Sequence, residues 1–114
     1  MLKGLGGLGD MAKMMGQAKE MQERMAELQK ELSTTEIGGE SGAGLVKAKA
    51  TAKGVLTGLD IDPSIFNAEE KEVVEDLILA AIKDAQDKAM AHQQSKLQEL
   101  GQEFGFPADM KLPF

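Results

Sequence analysis

Two glycine-rich stretches have residue spacings close to those of cofactor-binding and catalytic loops. Residues 4–9, Gly-Leu-Gly-Gly-Leu-Gly, match the G-x-G-x-x-G pattern that holds a dinucleotide pyrophosphate. That loop needs a strand before it, and the sequence offers three residues ahead of Gly4. Residues 39–43, Gly-Glu-Ser-Gly-Ala, approach a nucleophile elbow but place Ala43 where its last glycine belongs. We therefore expect neither a dinucleotide site nor a serine nucleophile.

The other candidates for catalysis or metal binding are isolated side chains. The chain has one histidine, His92, which falls within a predicted helix. Asp60 and Asp62 alternate with Ile61, but two carboxylates without further ligands make a poor Mg²⁺ or Ca²⁺ site. Because there is no cysteine, disulfides and thiolate zinc sites are excluded. The sequence predicts no enzyme, no cofactor, no metal and no small-molecule substrate.

Basic residues on two predicted elements are the strongest binding candidates. Strand alternation brings lysines of the middle strand to one face, where a plain solvated surface is the competing interpretation. The chain has no Trp or Tyr, which disfavours base stacking on single strands. It also lacks the pattern of a recognition helix, so we expect contact with the backbone of double-stranded DNA and little sequence readout. The predicted DNA-binding residues are Lys13, Lys19, Arg24, Lys30, Lys47, Lys49 and Lys53.

The charge distribution favours a different class of function. The net charge is −6, and residues 59–92 account for all of it, with nine acids against three lysines. Phosphate neutralisation requires clustered cations, so this balance alone argues against a nucleic-acid binder. An acidic dimeric protein-interaction module without significant DNA binding is therefore the alternative.

A long helix is predicted over residues 10–32, after a mobile glycine-rich start at 1–9, with Asp10 as N-cap. Its apolar residues are spaced alternately three and four apart, which is the a/d pattern of a packing seam. An adaptable methionine docking surface is the alternative interpretation. The seam residues are Met11, Met14, Ala18, Met21, Met25, Leu28 and Leu32.

Residues 33–61 predict a three-stranded antiparallel sheet. A short strand lies around 34–40, residues 46–52 alternate alanine or valine with polar residues, and 55–61 alternate again after a turn at Lys53-Gly54. A second helix is predicted over 67–100 with Asn67 as N-cap, followed by an apolar tail at 101–114. No stretch matches a signal peptide or a membrane span, so we expect a cytoplasmic, single-domain α+β protein at 1–114.

The predicted helix seam needs a facing surface, which is either the second helix of this chain or another subunit. The small residues of the middle strand also need a surface that packs closely on them. We therefore expect an intertwined or sheet-packed homodimer. Small side chains allow close approach, so we place Ala48 and Ala50 in the interface.

Three segments resemble the YbaB/EbfC family of bacterial nucleoid-associated proteins. They are Gly-Glu-Ser-Gly-Ala-Gly-Leu-Val-Lys at 39–47, Asp-Ile-Asp-Pro-Ser at 60–64 and the closing Met-Lys-Leu-Pro-Phe at 110–114. The resemblance implies an α–β–β–β–α order, a homodimer with helical arms, DNA binding with loose sequence preference and localisation to the nucleoid. It also implies Gly42, Ala43, Gly44 and Val46 as dimer-core positions.

Overall fold

The computed structural model describes residues 2–105, with side chains described from Gly9 onward. Two long helices flank a sheet, in the α–β–β–β–α order that the sequence predicts. The elements are α1 (Leu2–Thr34), β1 (Glu36–Ser41), β2 (Val46–Thr51), β3 (Leu56–Ile61) and α2 (Lys71–Glu103). The predicted α+β class with a three-stranded antiparallel sheet is confirmed.

The three strands form a meander in the order β1-β2-β3. Ile37 pairs with Ala50 across β1 and β2, and Val46 pairs with Ile61 across β2 and β3. The register shifts between Lys49 and Ala50 because Thr57 of β3 is skipped in the pairing, so that Ala50 faces Leu56. As a result the apolar residues of all three strands lie on one face of the sheet.

Helix α2 covers that apolar face over β1 and β2. The alanines at positions 81, 85 and 89 are fully buried, because their small side chains let the helix approach the strands closely. Ala48 and Ala50 lie beneath Ala81 and Ala85 in the same cluster. Over β1 and β2, the core of the single chain is therefore covered by its own helix α2.

Over the side chains described, the C-terminal half of helix α1 is the part that packs against the sheet and α2. Leu28 and Leu32 are buried against Ala52 of the β2–β3 turn and Leu100 of α2. Met11 and Met14, at the other end of the predicted seam, are 61 % and 67 % exposed. The seam thus has an intramolecular partner for about half of its length.

The ends of both helices differ from the prediction. Helix α1 begins at Leu2, not at Asp10, and residues 2–9 contain no proline that would interrupt it. Helix α2 begins at Lys71 because Asn67 caps a short 3₁₀ turn at Ala68–Glu70 by accepting from the Glu69 N–H. It continues to Glu103, and the rest of the predicted tail, 106–114, lies outside the described residues.

Candidate nucleic-acid interface

The lysines of β2 lie on the sheet face that α2 does not cover. Lys47 and Lys49 are exposed there, as strand alternation predicts. However, Lys47 is paired across the strands with Glu40 on one side and Asp60 on the other. The Lys49 ammonium lies 3.4 Å from Glu36 Oε1. Three carboxylates therefore surround two lysines, and this face has no positive excess for phosphate.

Lys53 lies apart from the other two β2 lysines. It is exposed in the β2–β3 turn, where the Gly54 N–H donates to the Thr51 carbonyl. Its neighbour Ala52 packs with Leu32, which places Lys53 at the end of the sheet where α1 joins it. Among the side chains described, Lys53 makes no ion pair.

The four predicted DNA-binding cations of α1 divide between two flanks of the helix. At 100° per residue, Lys13 and Arg24 lie on one flank and Lys19 and Lys30 on the other, each pair about three turns apart. Lys13, Lys19 and Lys30 are exposed and form no ion pair with any other side chain in the described range 9–105. These three lysines are free to meet an anion.

Arg24 is already engaged. Its guanidinium donates a 2.9 Å hydrogen bond to Glu103 Oε1 and lies 2.7 Å from Glu103 Oε2, at the last residue of α2. Glu27 lies 3.9 Å away on the other side. The hydrogen bond and the charge of Glu103 raise the pKa of Arg24 above its ordinary value. Arg24 therefore joins α1 to α2 rather than standing free.

Three of the predicted dimer positions are already buried within the single chain. Val46, Ala48 and Ala50 lie under α2 at 0–1 % exposure. We expected the small residues of β2 to need another copy, but α2 approaches closely enough to cover them. Gly42 and Ala43 are exposed and Gly44 is half-buried, in a turn where all three have positive φ.

An apolar surface beside β3 was not foreseen from the sequence. Because α2 covers β1 and β2, the β3 residues Leu56 and Leu59 remain 41 % and 43 % exposed. Gln86 of α2 reaches the Gly54 carbonyl at 3.2 Å, so this flank of α2 overlooks β3. Leu79, 66 % exposed, lies on the same flank. We call Leu56, Leu59 and Leu79 the β3 patch.

The residues considered for catalysis or metal binding are scattered in the structure. Hydrogen bonding from Ser64, through its side chain and then its N–H, lowers the pKa of the Asp62 carboxyl, while Asp60 lies beside Lys47. His92 is half-buried on α2. Within the described part of the chain, no three His, Asp or Glu side chains converge on a metal-sized site. Neither α1 nor α2, over their described lengths, contains a stretch apolar enough to cross a membrane.

Comparison with known proteins identifies the family. The model of the YbaB/EbfC DNA-binding family matches residues 7–104, which is most of the chain. The chain belongs to the YbaB/EbfC DNA-binding family. The resemblance inferred from the glycine-rich and Asp-Ile-Asp-Pro-Ser segments is thereby confirmed, and the YbaB/EbfC family is one of DNA-binding proteins rather than enzymes.

Relatives of similar length share nearly half of the residues. The chain is 48 % identical to a nucleoid-associated protein of Rhizobium meliloti (strain 1021) over 92 % of this chain and 98 % of the relative. It is 47 % identical to a nucleoid-associated protein of Agrobacterium fabrum (strain C58) with the same coverage. The fold is similar to the crystal structure of an uncharacterized protein from Helicobacter pylori, with a TM-score of 0.68 and 21 % identity over 78 % of this chain and 94 % of that one.

Proposed function

We propose that this YbaB/EbfC member is a homodimeric nucleoid-associated protein that grips double-stranded DNA with its two α1 arms. The observation that carries the proposal is the free length of α1. Since Arg24 lies beside Glu103, the residues before Arg24 extend past the end of α2. At 1.5 Å per residue the described helix from Leu2 to Arg24 is roughly 33 Å long. We call residues 2–23, the part of α1 that extends past the end of α2, the arm.

The distribution of charge along α1 favours one stretch of the arm, from Gly9 to Lys19, as the part that meets phosphate. Between Gly9 and Lys19 the charged side chains are Asp10, Lys13 and Lys19, a small positive excess. From residue 20 onward, four glutamates outnumber the two cations of the helix. Opposed charges attract within about a Debye length, roughly 10 Å at 0.1 M salt, so phosphates are attracted to Lys13 and Lys19 more than to the rest of α1.

Weak or absent sequence specificity is the expectation for such an arm. Backbone contacts from lysine position a protein on a duplex but carry no sequence information. The exposed positions between Met11 and Gln22 offer lysine, methionine and glutamine on a single helix, without an arginine that could read guanine bidentately. Localisation to the nucleoid follows from binding of this kind, in keeping with the names of the two relatives.

We further propose that the β3 patch is the dimer interface. β3 is an edge strand, and exposed leucines on an edge strand favour pairing with another chain. Leu56, Leu59 and Leu79 are exposed apolar side chains on the side of the molecule where α2 leaves the sheet open. A second copy joined through this surface would cover the leucines and would supply a second arm.

A gel shift on random-sequence duplex, at low and at high salt, tests the proposal. We expect a shift at low salt that weakens steeply as salt rises. The double variant Lys13→Gln/Lys19→Gln removes two charges from the arm, and Lys83→Gln/Lys88→Gln removes two from α2, where both lysines pair with aspartates. The arm variant should lose affinity and salt dependence, while the α2 variant should bind as the wild type does.

The alternative is an acidic protein-interaction module. It is favoured by the outer face of α2, where Leu79 and the 54 %-exposed Val73 stand among Glu72 and Asp76. A stable dimer that gave no gel shift at low salt would overturn DNA binding and leave this alternative.

A further inference from the structure

We propose that Glu103 competes with DNA for Arg24, so that the ion pair between α1 and α2 and a contact between Arg24 and phosphate exclude each other. This inference rests on the proposed DNA binding by α1. It assigns Glu103, an acidic residue on the other helix, a role in setting the affinity for DNA.

The chemistry of the two partners makes them interchangeable ligands for Arg24. A guanidinium presents a planar fork of N–H donors that fits two oxygens of a carboxylate or of a phosphate equally well. The same terminal nitrogen of Arg24, Nη2, lies 2.9 Å from one oxygen of Glu103 and 2.7 Å from the other. A phosphate that approached this nitrogen would have to displace the carboxylate.

The position of Arg24 brings it within reach of a duplex held by the arm. Arg24 shares a flank of α1 with Lys13, about three turns away, so a phosphate strand running along that flank meets both residues. Its side chain is 42 % exposed, and two clefts, of about 170 and 390 Å³, open on either side of it between α1 and α2. Arg24 is therefore accessible without unfolding either helix.

The ion pair itself is weak enough to exchange. The Glu103 side chain is 47 % exposed, and an ion pair in water between two exposed side chains contributes little net free energy because solvent screens it. The carboxylates of Glu20, Glu27 and Glu103 all act on Arg24, and Glu103 is the one that hydrogen-bonds to it. Removing the charge of Glu103 should therefore leave Arg24 unpaired in a larger fraction of molecules than removing the charge of any other acid.

Glu99 provides a matched control for a change at Glu103. It lies one turn earlier on α2, is exposed, and pairs with Lys96 at 3.6 Å instead of with Arg24. Glu103→Gln and Glu99→Gln change the net charge equally and keep the helix. The experiment measures duplex affinity by gel shift or anisotropy at several salt concentrations for the wild type, Glu103→Gln, Glu99→Gln, Arg24→Gln and the Arg24→Gln/Glu103→Gln double variant.

We expect Glu103→Gln to bind about threefold or more tightly than Glu99→Gln, and its salt slope to rise by roughly one per added phosphate contact. The gain should vanish in the double variant, which should bind as Arg24→Gln does. Equal affinities of Glu103→Gln and Glu99→Gln, or a gain that survives in the double variant, would overturn the competition. If the wild type binds duplex while Glu103→Gln gains nothing, this inference alone fails. If no variant binds at low salt, the proposed function fails.

Discussion

The backbone of Gly39 in β1 lies directly against the backbone of Ala85 in α2. A Cβ atom placed on Gly39 would come within 2.6 Å of the Ala85 Cα and 2.8 Å of the Ala81 carbonyl oxygen. No side chain separates strand and helix at this point, and the atoms in the way are backbone atoms that cannot rotate aside. The contact sets how closely α2 covers the sheet.

Substituting Gly39 should therefore destabilise the fold. We expect Gly39→Ala to lower the free energy of unfolding by about 1–3 kcal/mol, because α2 must move away from β1 to admit the methyl group. Urea denaturation measures the change. Gly38→Ala is the control: the neighbouring glycine has open space at its Cβ position, so its variant should unfold at the wild-type midpoint or above it. Equal losses for both variants would show that the close approach is not the cause.

Ala43 adopts a left-handed conformation with φ of 57° in the turn between β1 and β2. Because its side chain is exposed, the effect of a substitution here comes from the backbone. Ala43→Val should cost about 1–2 kcal/mol of stability, since β-branched residues are disfavoured at positive φ. Ala43→Asn should cost little, because asparagine tolerates this region. Thermal unfolding distinguishes the two variants, and a valine variant as stable as the asparagine variant would contradict the prediction.

Leu59 tests the proposed dimer interface. Leu59→Glu introduces a charge into the β3 patch and should shift the protein from dimer to monomer in sedimentation at micromolar concentration. Val73→Glu, a similar change at an exposed site on the opposite flank of α2, should leave the dimer intact. A Leu59→Glu protein that remained a dimer would move the interface to another surface.

Asp84 makes the stability depend on pH. Its carboxylate accepts from the Glu40 N–H at 3.0 Å and pairs with Lys88, and the Glu40 bond is the larger cause lowering its pKa below 3.8. When folding lowers the pKa of a carboxyl group, the group stabilises the folded protein at pH values above its ordinary pKa. This contribution is lost as the pH falls through the pKa of the folded state.

We therefore expect Asp84→Ala to be less stable than the wild type at pH 7, and the difference in urea midpoint to shrink as pH falls below 3.8. Asp87→Ala removes an aspartate that pairs with Lys83 but contacts no strand in the described structure, and it serves as the control. A difference for Asp84→Ala that stayed constant down to pH 2 would show that the carboxylate charge is not responsible.

Much of the fold could be predicted because the patterns are local. Alternation in β2 correctly separated Lys47 and Lys49 from the buried alanines, and Ala81, Ala85 and Ala89 recur every four residues along the buried face of α2. Each pattern follows from the side-chain periodicity within one strand or one helix, and that periodicity is visible directly in the sequence.

The parts that could not be predicted depend on contacts between elements. The irregularity after Lys49 brings Leu56 to the same face as Leu59, whereas simple alternation from Val55 would have put it on the other face. The cover of Ala48 by α2 depends on Gly39, whose contact with the backbone of Ala85 on a distant helix leaves no mark in the local sequence pattern. The hydrogen bond between Arg24 and Glu103 joins residues 79 positions apart in the sequence, and helical periodicity predicts no contact over that separation.

The join between α1 and the sheet has a mechanical consequence. A single residue, Thr35, separates the helix from β1, and its N–H and carbonyl are fixed to Glu31 and Ala52 by hydrogen bonds of 2.9 Å. This connection is short and hydrogen-bonded on both sides, so it has little flexibility. A tilt of α1 would therefore also turn β1. In the proposed mode of binding, a force that DNA exerted on the arm would therefore pass along α1 and through Thr35 to the strands of the sheet.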